Sequence, residues 1–250
     1  MNNHEMTRTI APRAPRRAFT LIELLVVISI IAILAAFTIP VLKTIARKKV
    51  LDRTRAEMAQ IETAIDSYKA AYGFYPPGNG RTPKYDPATP ATWDQAMINP
   101  LYFELLGTTN NKPADPVNGT YYTLDGSANI GAGSDIDNAF GVSGFVNTMK
   151  PGVGEDVPAA RNFLPGLNPN RFMSASNNTV LATVLVASVG GPDVNYRPFH
   201  GTPNFNPWRY VYPGINNPSS YDLWVQLSIG GRTNLICNWS QQPQLNSPLP

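Results

Sequence analysis

Arg16-Arg17-Ala18-Phe19-Thr20-Leu21-Ile22-Glu23-Leu24-Leu25-Val26-Val27-Ile28, continuing to Leu42, is the stretch that decides how this 250-residue chain reads. From Leu24 to Leu42 there are 19 consecutive uncharged residues. A helix of about 20 such residues crosses the hydrocarbon core of a bilayer. Glu23 stands just inside the start of the apolar segment. A carboxylate at the middle of a membrane helix costs roughly 2.5–3.5 kcal/mol on insertion scales, and less near an end, where it reaches the interface. Taken alone, Glu23 reads as a snorkelling acid. An ordinary secretory signal does not fit: its apolar core is about 7–15 residues and ends on a small-x-small cleavage site. This run is longer, carries Glu23, and has no Ala-x-Ala ending.

The order of residues says more than their hydrophobicity. A basic leader with Arg16-Arg17, the small Ala18, then Phe19-Thr20-Leu21-Ile22-Glu23 and an apolar helix containing Pro40 resembles the N-terminus of type IV prepilins and type II secretion pseudopilins. The resemblance implies a bacterial inner-membrane protein whose N-terminus is cytoplasmic and whose C-terminal domain is periplasmic. It implies cleavage by a prepilin peptidase between Ala18 and Phe19, and methylation of Phe19. Glu23 becomes the fifth mature residue and pairs with the terminal amine of a neighbouring subunit. Such pairing is physically reasonable, because a carboxylate and an ammonium in apolar surroundings each cost far less together than alone. The family usually has Gly where this chain has Ala18, a residue small enough that cleavage is still expected. Arg16-Arg17 also looks like part of a twin-arginine export signal, and a plain single-span anchor would explain the hydrophobicity but not the Phe-Thr-Leu-Ile-Glu order. Charge does not orient the span: Lys43, Arg47, Lys48 and Lys49 balance four leader arginines.

The calculated pI near 9.0 invites a nucleic-acid reading. The leader, residues 1–18, holds four arginines against one glutamate, and the remainder has 16 basic and 16 acidic side chains. A neutral mature chain has no electrostatic footprint for a phosphate backbone, so no nucleic acid is expected. Cys237 is the only cysteine, which excludes an intramolecular disulfide.

Beyond Pro40 the pattern becomes one-sided. Leu51, Thr54, Met58, Ile61, Ile65, Tyr68 and Tyr72 recur at helical spacing, with Arg53, Arg55, Glu57, Glu62, Asp66 and Lys69 assigned to the opposite, charged face. Gly73 and Pro76-Pro77 end the helix. A helix from Thr20 to Tyr72 would be roughly 80 Å long, with a kink or local melting at Pro40. Ile61-Glu62-Thr63-Ala64-Ile65-Asp66-Ser67-Tyr68-Lys69 and Gly73-Phe74-Tyr75-Pro76 look like the helix end of the major pseudopilin.

Residues 74–250 carry 39 Pro and Gly in 177 positions, just under the ~25–30% of low-complexity chain, and aromatics are plentiful. A folded but irregular body is expected. Asn99–Gly107 reads as a short helix. Thr179–Val189 is one core element, strand or helix. Trp208–Tyr212, Tyr221–Ile229 and Asn234–Trp239 read as strands separated by turn residues. With Asn206-Pro207-Trp208, Tyr210-Val211-Tyr212-Pro213-Gly214 and Asn238-Trp239, they resemble the pseudopilin C-terminus; residues 77–205 look like a large insertion.

In that family the loop between the last two strands binds calcium through carboxylates and carbonyls. Here Ser228-Ile229-Gly230-Gly231-Arg232-Thr233-Asn234 has no acid, and Asp222 is the nearest carboxylate, so the site is read as lost. Asp135-Ile136-Asp137-Asn138 fails the EF-hand template at Phe140 and Val146. Gly131-Ala132-Gly133 is read as lacking the strand-before, helix-after context of a dinucleotide loop. His200 is the one histidine after the leader and lies in a Pro/Gly-rich segment. No cofactor, metal site or catalytic constellation is assigned.

The expectation is an α+β protein: a long N-terminal helix, membrane-spanning in its first half and packed by its second half on a small antiparallel β-sheet, with a large irregular insertion. Its parts are a leader (1–18), an anchor and filament-core helix (19–42), an amphipathic continuation (43–73), an irregular region (74–205), C-terminal strands (206–240) and a tail (241–250). By the family resemblance it is a structural subunit of a type II secretion pseudopilus. It assembles with itself into a helical filament, with a prepilin peptidase and an inner-membrane assembly machinery as partners. A surface type IV pilus subunit, or a membrane-tethered binding module using residues 77–205, are the alternatives.

Overall fold

A computed structural model describes residues 19–78, 97–149, 159–176, 181–191 and 205–245, with side chains at 38–43 and 176 outside that description. The chain divides into two compact units, 1–46 and 47–250.

Helix α1, Leu21–Tyr72, contributes its first part to one unit and the remainder to the other. It runs through position 40 without interruption, so the melting expected at Pro40 does not occur. At its far end Gly73 takes φ +84° and donates its N–H to the Lys69 carbonyl at 2.8 Å, a left-handed cap open to residues without a Cβ. The buried stripe of α1 is Thr54, Glu57, Ile61, Ala64, Ile65 and Tyr68, all under 6% exposed. One expectation fails here: Glu57 lies on the buried face, not the charged one. Composition alone cannot tell that a partner cation waits across the packing gap.

The head contains three sheets among the described residues, where one small sheet was expected. Helix α2, Leu101–Leu106, is wholly buried and leads into β1, Thr108–Asn110. β1 pairs antiparallel with β2, Thr120–Thr123, which pairs with β3, Asn129–Gly131. A short helix α3, Ser134–Phe140, follows, and β4, Thr148–Met149, joins β1 in parallel. β5, Phe172–Ser176, and β6, Leu181–Leu185, form a hairpin. Within the region read as irregular, the described residues thus hold several short helices and strands. Its strands are two to five residues long, too short for a period-two pattern to stand out.

The C-terminal sheet is a meander of β7, Arg209–Val211; β8, Asp222–Ile229; β9, Arg232–Cys237; and β10, Ser240–Leu245. β10 falls in the stretch read as a tail. It is an edge strand carrying Pro243, a residue without an N–H that sheets tolerate at an edge. The Val186–Pro207 bridge connects the end of β6 to the chain entering β7, so the β5–β6 hairpin continues the meander. Along β8 the side chains alternate: Leu223, Val225 and Leu227 join the cluster that includes α1 and α2, while Trp224 packs with Val211, Leu235, Cys237 and Trp239 in a second cluster.

Candidate functional site

The N-terminal part of α1 has no polar face. Thirteen large apolar side chains between Phe19 and Phe37 are 44–81% exposed, on every side of the helix. Ser29, a hydroxyl within the apolar run, donates to the Leu25 carbonyl at 2.7 Å and so is turned onto its own backbone. Burying such side chains is worth about 1.5–3 kcal/mol each, on the order of 20–40 kcal/mol for the set. A helix apolar all round belongs in a core or a bilayer, or against other helices. Among the described residues no helix is long and apolar enough to cross a membrane. The uncharged run Leu24–Leu42 includes positions 38–42, whose side chains lie outside the description.

At the head of this helix the structure makes a local connection that the snorkelling reading of Glu23 missed. Glu23 Oε2 accepts from the Thr20 amide at 2.9 Å and from the Thr20 hydroxyl at 2.7 Å. The Glu23 amide in turn donates to Thr20 Oγ1 at 3.3 Å. This is a reciprocal capping box, and it satisfies two of the amides left without partners at a helix start. The signal was in the sequence, since Thr-x-x-Glu ahead of an apolar run is its pattern. Glu23 Oε1 takes no bond among the described residues.

Phe19 is 73% exposed, ahead of the cap. Ala18 and His200 lie outside the described residues, as does the Pro40 side chain. The structure therefore brings Phe19, Thr20 and Glu23 to one helix end and says nothing of a cleavage geometry.

Two further carboxylates are built into the head. Glu104, 1% exposed, accepts from the Val146 and Asn147 amides at 2.8 and 3.0 Å and from the Tyr68 hydroxyl at 3.0 Å. Burial raises its pKa above the ordinary glutamate range despite those bonds. Glu57 accepts from the Ser188 amide and hydroxyl and pairs with Arg53 at 3.3 Å and Arg171 at 3.5 Å. Both pin loops of the head to α1.

The loop considered for calcium is a two-residue hairpin, Gly230-Gly231, with φ of +59° and +74° between paired Ile229 and Arg232. Asp222 is at the other end of β8, roughly 23 Å away along an eight-residue strand. Its oxygens accept from the amides of Ile215, Asn216 and Asn217 at 2.8–3.0 Å, so it organises the turn before β8. Asp135 and Asp137 are in helix α3, not a cation loop. The Gly131–Gly133 segment does have a strand before it and a helix after it, contrary to expectation. The strand is antiparallel, the helix is seven residues, and the Asp135 carboxylate occupies the space beside Gly131 where a phosphate would need to sit. Among the described residues no group of three acidic, Cys or His side chains could hold a metal ion.

A family model for the prokaryotic N-terminal methylation motif matches residues 13–39. The chain is also 33% identical over 96 residues to the fimbrial protein EcpB of Eikenella corrodens. Both similarities lie with type IV pilin-like proteins and support a pilin-like subunit. The matched motif covers the capping box and most of the exposed apolar helix of this pilin-like subunit. The alignment with the fimbrial relative takes in 38% of this chain and 53% of the relative, so the pilin-like chain spans about half the length of that protein. No solved structure matches it significantly.

Proposed function

We propose that this protein is a structural subunit of a type II secretion pseudopilus. It is cut by a prepilin peptidase between Ala18 and Phe19, methylated on Phe19, and polymerised through α1. The observation that carries this reading is the uncovered apolar surface from Phe19 to Phe37 with Glu23 at its head. In the precursor the surface is held in the bacterial inner membrane, with the head in the periplasm; in the filament it is covered by copies of itself. Glu23 Oε1 receives the Phe19 amine of a neighbouring subunit, and Pro40 keeps α1 from donating one amide in the filament core. An inner-membrane assembly machinery carries subunits from one setting to the other. The choice of a secretion pseudopilus rests on the Gly73-Phe74-Tyr75-Pro76 and C-terminal resemblances.

A second reading, a surface type IV pilus subunit, is favoured by the fimbrial relative. Intact mass of the membrane-extracted protein tests the shared part: a chain beginning at methylated Phe19 is expected, and an uncut chain overturns it. Deletion of the gene separates the two readings, through loss of protein export on one side and loss of surface filaments on the other.

A further inference from the structure

A cleft of about 280 Å³ opens in the head where α1 meets the single turn Pro169–Arg171. Arg53, Ala56, Glu57 and Gln60 line it from α1, at the i, i+3, i+4, i+7 spacing of one helix face, and Asn168, Asn170 and Arg171 line it from the turn. Arg171 is 8% exposed, so its guanidinium has lost nearly all of its water. What replaces that water is meagre. Its Nε reaches Glu57 Oε2 only at 3.5 Å and makes no hydrogen bond; one terminal nitrogen reaches Gln60 Oε1 at 3.5 Å. The other has no partner among the described residues.

Glu57 cannot make up the difference. Its two oxygens already take the Ser188 hydroxyl, the Ser188 amide at 3.2 Å and Arg53 at 3.3 Å. Two guanidinium groups thus share one carboxylate, and the cleft carries one positive charge in excess. Burial, the larger influence, holds the Arg171 guanidinium below its ordinary value, with Glu57 only partly opposing it. A buried guanidinium with unused planar donors beside open space has the geometry that receives a carboxylate, fork to fork. Ala56 leaves the floor open, while Gln60, Asn168 and Asn170 supply amides at the rim.

We propose that this cleft binds a carboxylate, held by Arg171 and balanced by Arg53. The group comes either from an acidic side chain on another copy of the chain or from a free small organic acid. The site uses only the part of α1 beyond its apolar run and does not depend on the filament reading.

The test is a titration of the full chain in detergent micelles with sodium acetate, against sodium chloride at equal ionic strength. The Arg171 side-chain nitrogen resonance is followed. A saturable shift with acetate and none with chloride is expected. Ala56→Leu, which fills the cleft and leaves every ion pair in place, weakens acetate binding by about tenfold without moving the melting temperature; Arg171→Lys, which keeps charge and removes the fork, weakens it to a similar degree. A response that does not saturate, that chloride reproduces, or that Ala56→Leu retains at full strength overturns the site. In assembled filaments, loss of the acetate shift with protection of Arg171 from phenylglyoxal identifies a neighbouring copy as the source. Persistence of the shift identifies a free acid, and either result supports the site.

Discussion

Tyr68 donates its hydroxyl to Glu104 at 3.0 Å, and both side chains are buried, at 0% and 1% exposure. The bond joins α1 to α2 at the centre of the head. Asn147 extends it, receiving the Tyr72 hydroxyl at 2.7 Å and donating to the carbonyls of Glu104 and Arg161. A buried network of this kind is stabilising only while every member is satisfied.

Tyr68→Phe keeps the ring and removes one of three donors to a buried carboxylate. A loss of about 1–3 kcal/mol is expected, read as a lower midpoint in urea unfolding followed by circular dichroism. A midpoint equal to wild type would show that the hydroxyl contributes nothing.

Glu104 also sets a pH dependence. Burial raises its folded pKa above that of the unfolded chain, about 4.3. The native state then binds the proton more tightly than the unfolded state. Its stabilising contribution is complete below the unfolded value and is lost as pH rises through the folded one. Glu62, raised by burial and by Asp66, adds a slope of the same sign. Stability should fall from about pH 4.3 upward, and Glu104→Gln should flatten part of that fall. An unchanged slope in the variant would remove Glu104 as its source.

Thr20→Val deletes the capping hydroxyl and leaves the carboxylate. Loss of the cap should cost about 1 kcal/mol, seen as faster amide exchange at Leu21 to Leu24 in detergent-solubilised protein. Filaments are still expected, because the proposed pairing uses the other oxygen of Glu23. Glu23→Ala should abolish them; normal filaments from Glu23→Ala would end the pairing model.

Asp222→Ala removes the acceptor of the Ile215, Asn216 and Asn217 amides. The expected cost is about 3 kcal/mol, concentrated in exchange protection of residues 214–217. Because Asp222 is fully engaged there, added calcium should leave the wild-type melting temperature where it was. A calcium-dependent rise would mean that the turn opens to take the ion.

Gly231→Ala places a Cβ on a residue at φ +74° in the β8–β9 turn. A loss of about 1–2 kcal/mol in chemical unfolding is expected. Substitution of neighbouring Arg232, an exposed strand residue, should be close to neutral.

Much of the architecture was legible from residues close together in the chain. α1 was expected at Thr20–Tyr72 and is found at Leu21–Tyr72, because helical periodicity and a Gly-Pro-Pro ending are local signals. The short helix before Gly107 and the strands β7 to β9 were likewise expected, each bracketed by Pro, Gly or Asn. The β1–β4 sheet and β10 were not, since two- to six-residue strands with mixed polarity draw their order from neighbours distant in sequence. The capping box is legible as Thr20-x-x-Glu23, a local pattern that the adjoining apolar run overshadows.

The N-terminal pattern was determined by the sequence alone: an apolar run, one acid and the small residue before Phe19 are contiguous, and their order is readable without knowing what they touch. Which polar groups enter the core was decided only by the tertiary structure. Glu57, like Glu62, is a helical acid assigned by its spacing to the charged face, yet it is buried because Ser188 and Arg171 arrive from more than a hundred residues away to meet it. Desolvating a carboxylate is tolerable only when partners are in place, and partners brought by long-range folding leave no mark on the local pattern.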